Sequence, residues 1–406
     1  MAFTSTNSFS GFPELELVLC CTRTSIDSEI SNRVKELINR GINWSKVIDI
    51  VTSSRVTPLF YRNLKLISPG KLPDFVIEQL KKYYSNNLHE NLHLFRELLS
   101  ILKLLETNDI PSICYKGPAF AIWLYGDLSL RHSGDLDILV RKNDVARAKD
   151  LLLSIGYKFD WPKIPLTSVQ EASHLESKYN YTFVNEFTGV AIELHWGITP
   201  KYFSFPPESE WLWEQLVPQN IAGTEVLTFS PEDYLLILCV HSSNHCWMRL
   251  SWICDISELI NKHPDLNWEY IIREAQLFGV KRILLLGLLI AHEFLGTNLN
   301  EEVLKLINAD TQVRILKNQV ASKYLGNDYI GSKAFEIPFF HLRIRERFSD
   351  KVRYCTSMSN PSSKDWVTFP TIQSNSVILF VLRPLRLIIE HGLVPITRRL
   401  KNRIID

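Results

Sequence analysis

The sequence predicts an α+β fold, with a small mixed β-sheet core in the middle of the chain and mainly helical regions before and after it. Three observations predict it. Apolar residues recur at three- and four-residue spacing over residues 25–107 and again beyond about residue 201. Between these stretches, short apolar segments alternate with helical ones in the order strand, helix, strand, helix. Finally, Tyr179–Glu186 and Val190–Trp196 are joined by Phe187-Thr188-Gly189 and read as a β-hairpin. The shifts of pattern mark four regions: a helical 1–107, an α/β core at 108–200, a helical domain at 201–300 that completes the site, and a helical or loop-rich 301–406.

Each element has its own local signal. Ser25-Ile-Asp-Ser-Glu supplies capping residues before Ile30, Val34, Leu37 and Ile38, which share one helix face that Gly41 terminates. Asn43-Trp44-Ser45 opens a second helix, and a longer one runs from about Pro73 to Glu106. Ser112–Tyr115 is a short apolar strand, followed by Lys116-Gly117-Pro118 and a helical stretch to Tyr125. Leu136–Val140 is a second strand. Asn143-Asp144 caps a helix through Val145, Ala148, Leu151 and Leu152 that stops at Gly156. Beyond the hairpin, helical pattern returns at Pro231–Ile260, 266–295 and 300–325. Residues 327–375 look loop-rich, and 376–403 read as an apolar then basic helix pair broken at Pro384 and Pro395.

With 406 residues, 46% of them hydrophobic and 22% charged, the chain belongs with ordinary globular proteins and can bury several cores. Lysine plus arginine (45) balance aspartate plus glutamate (44), so no global field gathers polyanions and nucleic acid is disfavoured as a partner. Arg383, Arg386, Arg398, Arg399, Lys401 and Arg403 form a local basic cluster, read as a docked amphipathic tail rather than a membrane anchor. Seven cysteines, odd in number and without a CxxC pair, read as free thiols of a reducing compartment. The first residues show no basic region followed by an apolar stretch, and no apolar window reaches membrane-spanning length. The expected location is the cytoplasm.

The chemistry concentrates at Asp135 and Asp137. Strand side chains alternate, so both carboxylates face one side of the sheet while Leu136 and Ile138 face the other. Two adjacent carboxylates repel unless a cation lies between them, and a hard divalent ion such as Mg²⁺ suits such oxygen ligands. In Val190-Ala-Ile-Glu-Leu-His-Trp196 the same parity puts Glu193 and His195 together on one face, opposite Val190, Ile192, Leu194 and Trp196. His241 and His245 share a helix face at a spacing that zinc can use, but HExxH is absent. The simpler reading joins them with Arg249 and Asp255 in a polar face turned toward the core.

Together these residues resemble the nucleotidyltransferase fold of the DNA polymerase beta superfamily: a Gly turn, a DxD strand and a third acid on a later strand. More closely, they look like a poorly characterised bacterial nucleotidyltransferase family. Tyr115-Lys116-Gly117, Tyr125, Arg131, Asp135-Leu-Asp137-Ile-Leu-Val and Glu193-Leu-His-Trp196 carry the likeness, with Asn43–Leu64 and the stretch from His241 to Asp255 extending it. The resemblance implies that Asp135, Asp137 and Glu193 are the catalytic and metal-binding acids, holding two Mg²⁺ about 3.5–4 Å apart. Lys116, Gly117, Arg131 and His195 would then bind the nucleotide, Lys116 and Arg131 through its phosphates and Gly117 through its amide. The superfamily's usual Gly-Ser is Lys116-Gly117 here, so lysine stands in for the serine or the phosphate grip differs. The expected reaction moves a nucleoside monophosphate from an NTP, ATP by expectation, to a hydroxyl of a small-molecule or peptide acceptor. The same residues would also serve a non-catalytic nucleotide-binding module, or a toxin-like enzyme that modifies protein or tRNA.

Overall fold

Helix caps written into the sequence set the N-terminal elements of the structure, a computed structural model. It describes residues 9, 11–68, 70–161, 166–200, 202–203, 205, 210–221, 223–325, 336–357, 359, 365, 368–369 and 377–388. Helices α1 (Pro13–Cys21), α2 (Ser28–Arg40), α3 (Trp44–Ser53), α4 (Thr57–Ile67) and α5 (Asp74–Thr107) come first. The Asp27 carboxylate accepts from the Ile30 amide to start α2, and the Asn43 side chain does the same for Lys46 in α3. Ile30, Val34 and Leu37 bury one face of α2, as their spacing predicts.

The central region is a mixed sheet. Its elements are β1 (Ser112–Cys114), α6 (Gly117–Tyr125), β2 (Leu136–Val140), α7 (Val145–Ser154), β3 (Tyr157–Trp161), α8 (Ser168–Ser177), β4 (Asn180–Asn185) and β5 (Ala191–His195). The strand order is β1-β2-β5-β4-β3. Strands β2 and β5 pair in parallel, and every other neighbour is antiparallel. The β4–β5 hairpin lies where the Thr188-Gly189 turn predicts. Strand β3 and helix α8 were not legible in the same way: β3 is a short edge strand, Tyr-Lys-Phe-Asp-Trp, whose alternation is brief.

A short helix α9 (Trp211–Glu214) and a second hairpin, β6 (Leu216–Ile221) with β7 (Thr224–Phe229), follow where sequence periodicity suggested helix. The alternating Thr-Glu-Val-Leu-Thr-Phe suits a pleated strand, and Gly223, at φ +88°, makes the turn. Then come α10 (Pro231–Asn244), α11 (Leu250–Lys262), α12 (Trp268–Phe278), α13 (Lys281–Leu295), α14 (Glu301–Ala309) and α15 (Thr311–Leu325). Helices α16 (Glu336–Ile344) and α17 (Phe348–Ser357) occupy part of the stretch expected to be loop-rich, and α18 (Val377–Ile388) contains Pro384 rather than ending at it. Arg398, Arg399, Lys401, Arg403 and Pro395 lie outside the described residues. Among the described residues no helix is long and apolar enough to cross a membrane.

Two cores follow from strand parity. Leu136, Ile138, Ile192 and Leu194 pack against Leu98 and Ile101 of α5 and Ala148 of α7. The opposite face of the sheet turns toward a larger helical core that includes Phe120, Leu235, Ile253 and Leu284. Asp137, Glu193 and His195 sit on that second face, between the sheet and the helices that follow it.

Candidate active site

Parity alone places the acids, and the ladder brings them together. In the parallel β2–β5 register Asp137 is opposite Glu193, and Leu139 is opposite His195. The Nε2 of His195 donates to Asp137 Oδ1 at 3.0 Å and lies 3.2 Å from Glu193 Oε2. Its Nδ1 has no hydrogen-bond partner among the described residues, so Nε2 must carry the proton shared between the carboxylates. Asn180, the β4 neighbour of His195, donates to Glu193 Oε2 at 3.0 Å. Lys116 Nζ completes the cluster at 3.0 Å from Asp137 Oδ1.

Electrostatics follow from this packing. Burial alone would raise the Asp137 carboxyl, but Lys116 and His195 outweigh it and hold Asp137 well below the usual carboxylate range. Glu193 is likewise drawn down by His195 against its own burial. His195 is raised: burial opposes its charge, yet hydrogen bonds to Asp137 and Glu193 prevail. Asp135 stands apart, since burial and the charges of Asp137 and Glu193 push it up to about 6. It lies just before β2 and lines the same cavity.

Gly117 is forced by this geometry. It begins α6 at φ +70°, and a Cβ there would meet the Asp135 carbonyl oxygen at 3.2 Å. No side chain caps α6, and Gly117 at its start lines the cavity. Arg131 is differently placed from an open phosphate contact: its Nε and Nη2 grip the fully buried Asp255 of α11 at 3.0–3.2 Å, and Tyr125 Oη donates to the same carboxylate at 2.8 Å. Burial opposes the Arg131 charge, but Asp255 outweighs it and raises the guanidinium. The Tyr125, Arg131 and Asp255 positions of the sequence motif therefore form one buried brace between core and helical region.

Helix α5 explains how the loop before β2 is held. Asn91 Nδ2 donates to the carbonyls of Leu128 and Arg131 at 2.6 Å each, and Asn87 Nδ2 to that of Ser129 at 3.0 Å. Two asparagines four residues apart on a buried face thus satisfy a loop that would otherwise leave carbonyls unpaired.

Asp135, Asp137, Glu193, Lys116, Gly117, Arg131 and His195 all line one cavity of about 260 Å³, whereas Tyr125 and Asp255 stand behind it. His241 and His245 line it too, their imidazoles driven to the neutral form by burial and by Lys116, His245 to about 4. No zinc-type cluster includes them among the described residues; the one convergent group is Asp137, Glu193 and His195, whose donor atoms lie within 4.8 Å of one another. Two carboxylates and an imidazole, with Asp135 beside them, suit a divalent cation, which would compete with Lys116 and His195 for Asp137. Sequence reasoning missed Arg55, His132, Ser133, Tyr179 and Asn180, which also surround this cavity or its acids. Arg55 falls within the Asn43–Leu64 stretch of the likeness, but no spacing there marks it, and the fold carries it to the cavity.

A family model described as an uncharacterised nucleotidyltransferase matches residues 40–296 of the chain. Neither the curated proteins nor the solved structures contain a significant match.

Proposed function

We propose, from the premise that this chain belongs to the uncharacterised nucleotidyltransferase family, that it transfers a nucleoside monophosphate from an NTP, with ATP as donor, to a hydroxyl group. The acceptor is a small molecule or a peptide. The observation that carries this reading is the Asp137–Glu193 register pair with His195 between its carboxylates, set in a polar cavity beside Asp135.

In such a transfer the acceptor oxygen bonds to the α-phosphorus while the bond from that phosphorus to the bridging oxygen breaks and pyrophosphate leaves. Asp135, Asp137 and Glu193 would hold Mg²⁺, two ions by this reading, which lowers the acceptor hydroxyl's pKa and neutralises the phosphates. The acceptor proton goes to a carboxylate, a role this reading gives to Glu193, which is only partly covered and accepts a hydrogen bond from Asn180. Lys116 offers a compact charge that can turn from Asp137 to a phosphate oxygen. The uncapped Gly117 amide adds a fixed donor that needs no rearrangement. The near-neutral net charge supports a small acceptor over a polynucleotide.

The test is label transfer. With α-labelled ATP, divalent metal and a cell extract separated by size, label should move into small products and stay in ATP when Glu193 is Gln. Label found only in tRNA or whole proteins would replace the small acceptor with a macromolecule.

A further inference from the structure

Lys116 and Arg131, the cations expected to meet phosphate, are each held by an acid. Two other guanidiniums in the cavity are not. Arg55 lies between α3 and α4, and Arg249 immediately precedes α11. The Ser251 amide donates to the Ser54 carbonyl at 3.3 Å, which stitches the two arginine-bearing linkers together. Among the described residues neither guanidinium makes an ion pair or a side-chain hydrogen bond; Arg249 rests on the Trp252 ring at 5.1 Å. Both are half-buried, and each is lowered first by burial; the Arg55 charge then lowers Arg249 further, and Asp135 alone among acids favours their charged forms.

Like charges gathered in a half-buried cleft, with no acid in ion-pair contact, are unfavourable unless an anion joins them. The backbone is strained to present them as well. Helix α3 closes with Arg55 N–H donating to the Thr52 carbonyl at 3.2 Å and Val56 N–H to that of Val51 at 3.0 Å. That double bond pattern places the residue after the cap in the left-handed region, where glycine is preferred, yet Arg55 holds φ +56°. Cys246 and Trp247, just before Arg249, also have positive φ. A third group points the same way: Ser133, 4% exposed and lining the cavity, has an Oγ with no hydrogen-bond partner.

We propose that Arg55, Arg249 and Ser133 form a subsite for the terminal phosphates of the donor nucleoside triphosphate. This rests on the nucleotidyl-transfer reading for the identity of the ligand, though not for its charge. Guanidiniums present paired donors to phosphate oxygens, and the departing pyrophosphate gains charge as its bond to the α-phosphorus breaks. The N-terminal helices thereby contribute directly to donor binding, and specificity falls on the number of phosphates rather than on the base.

The experiment is calorimetric binding of inorganic tripolyphosphate, ATP and AMP to the full chain, for wild type, Arg55→Gly, Arg249→Gln and Ser133→Ala. Arg55→Gly removes the guanidinium and relieves the left-handed backbone, so it should melt above wild type while binding tripolyphosphate and ATP about tenfold or more weakly. Arg249→Gln should lose as much, Ser133→Ala less, and AMP affinity should hold in all three. Variants that bind tripolyphosphate and ATP like wild type would overturn the subsite, as would equal losses for ATP and AMP. Unchanged ATP binding with lost turnover would move the pair to an anionic acceptor and equally overturn it. If tripolyphosphate binding depends on the pair but no NTP is turned over, the subsite stands and the nucleotidyl-transfer reading falls.

Discussion

Asp137 and Glu193 face each other across the parallel β2–β5 ladder, with the His195 imidazole 3.0 Å from one carboxylate and 3.2 Å from the other. The acids are thus spaced by backbone hydrogen bonds rather than by loops, and their side chains need little further ordering to meet a cation. The cost of gathering them is visible in Asp135, whose carboxyl is raised by burial and by its two neighbours.

Asp135 makes metal binding pH-dependent. A proton competes with metal for its carboxylate, so divalent affinity should fall as pH drops through about 6. Stability moves in the opposite sense in the chelated protein. The folded state binds this proton more tightly than the unfolded chain, so charged Asp135 destabilises the fold above about pH 6, and that penalty disappears as pH falls toward the unfolded value. Asp135→Asn should therefore be more stable than wild type at pH 7, with the gap narrowing by pH 5. Denaturant titrations at both pH values check it; a gap that widens on acidification would refute the assignment.

Asp255→Ala should unfold the chain far more readily. It leaves the buried Arg131 guanidinium without its carboxylate and Tyr125 without its acceptor. Breaking such a buried pair costs about 3–5 kcal/mol. Replacing both members, Arg131→Met with Asp255→Leu, should recover much of that loss in urea denaturation, because no charge is then stranded. An Asp255→Ala protein as stable as wild type would show that the brace is dispensable.

Gly117→Ala should damage the site more than its size suggests. The new Cβ meets the Asp135 carbonyl at 3.2 Å in a backbone conformation that alanine disfavours by about 1–2 kcal/mol. Relief requires shifting either the α6 start or the Asp135 backbone, so metal affinity should fall along with melting temperature. Calorimetry of metal binding separates the two effects, and unaltered affinity would remove Gly117 from the site.

The candidate site was legible where strand parity applies. Alternation around Asp135 to Val140 and Val190 to Trp196 assigns each side chain to a face without knowing the pairing, and the two-residue period leaves little room for error. Elements with weak or interrupted alternation were not legible: β3 is brief, β6 contains Pro218, and α16 and α17 follow no strong stop signal. Arg131 shows a different limit. Its motif position was evident, but its commitment to Asp255, 124 residues away, depends on tertiary packing that no local pattern encodes. Arg55 lies within the Asn43–Leu64 stretch of the likeness, yet a single arginine at a helix end gains meaning only when α11 is placed against it.

Pyrophosphate release is the most direct measurement of the central claim. Each NTP would be incubated with wild type and Asp137→Asn, with and without Mg²⁺, in the presence of extract as a pool of acceptors. The account predicts release from ATP that requires metal and falls about a thousandfold or more in Asp137→Asn, with circular dichroism showing the variant still folded. Release that persists in Asp137→Asn, or none from wild type with any NTP while ATP still binds, would contradict it.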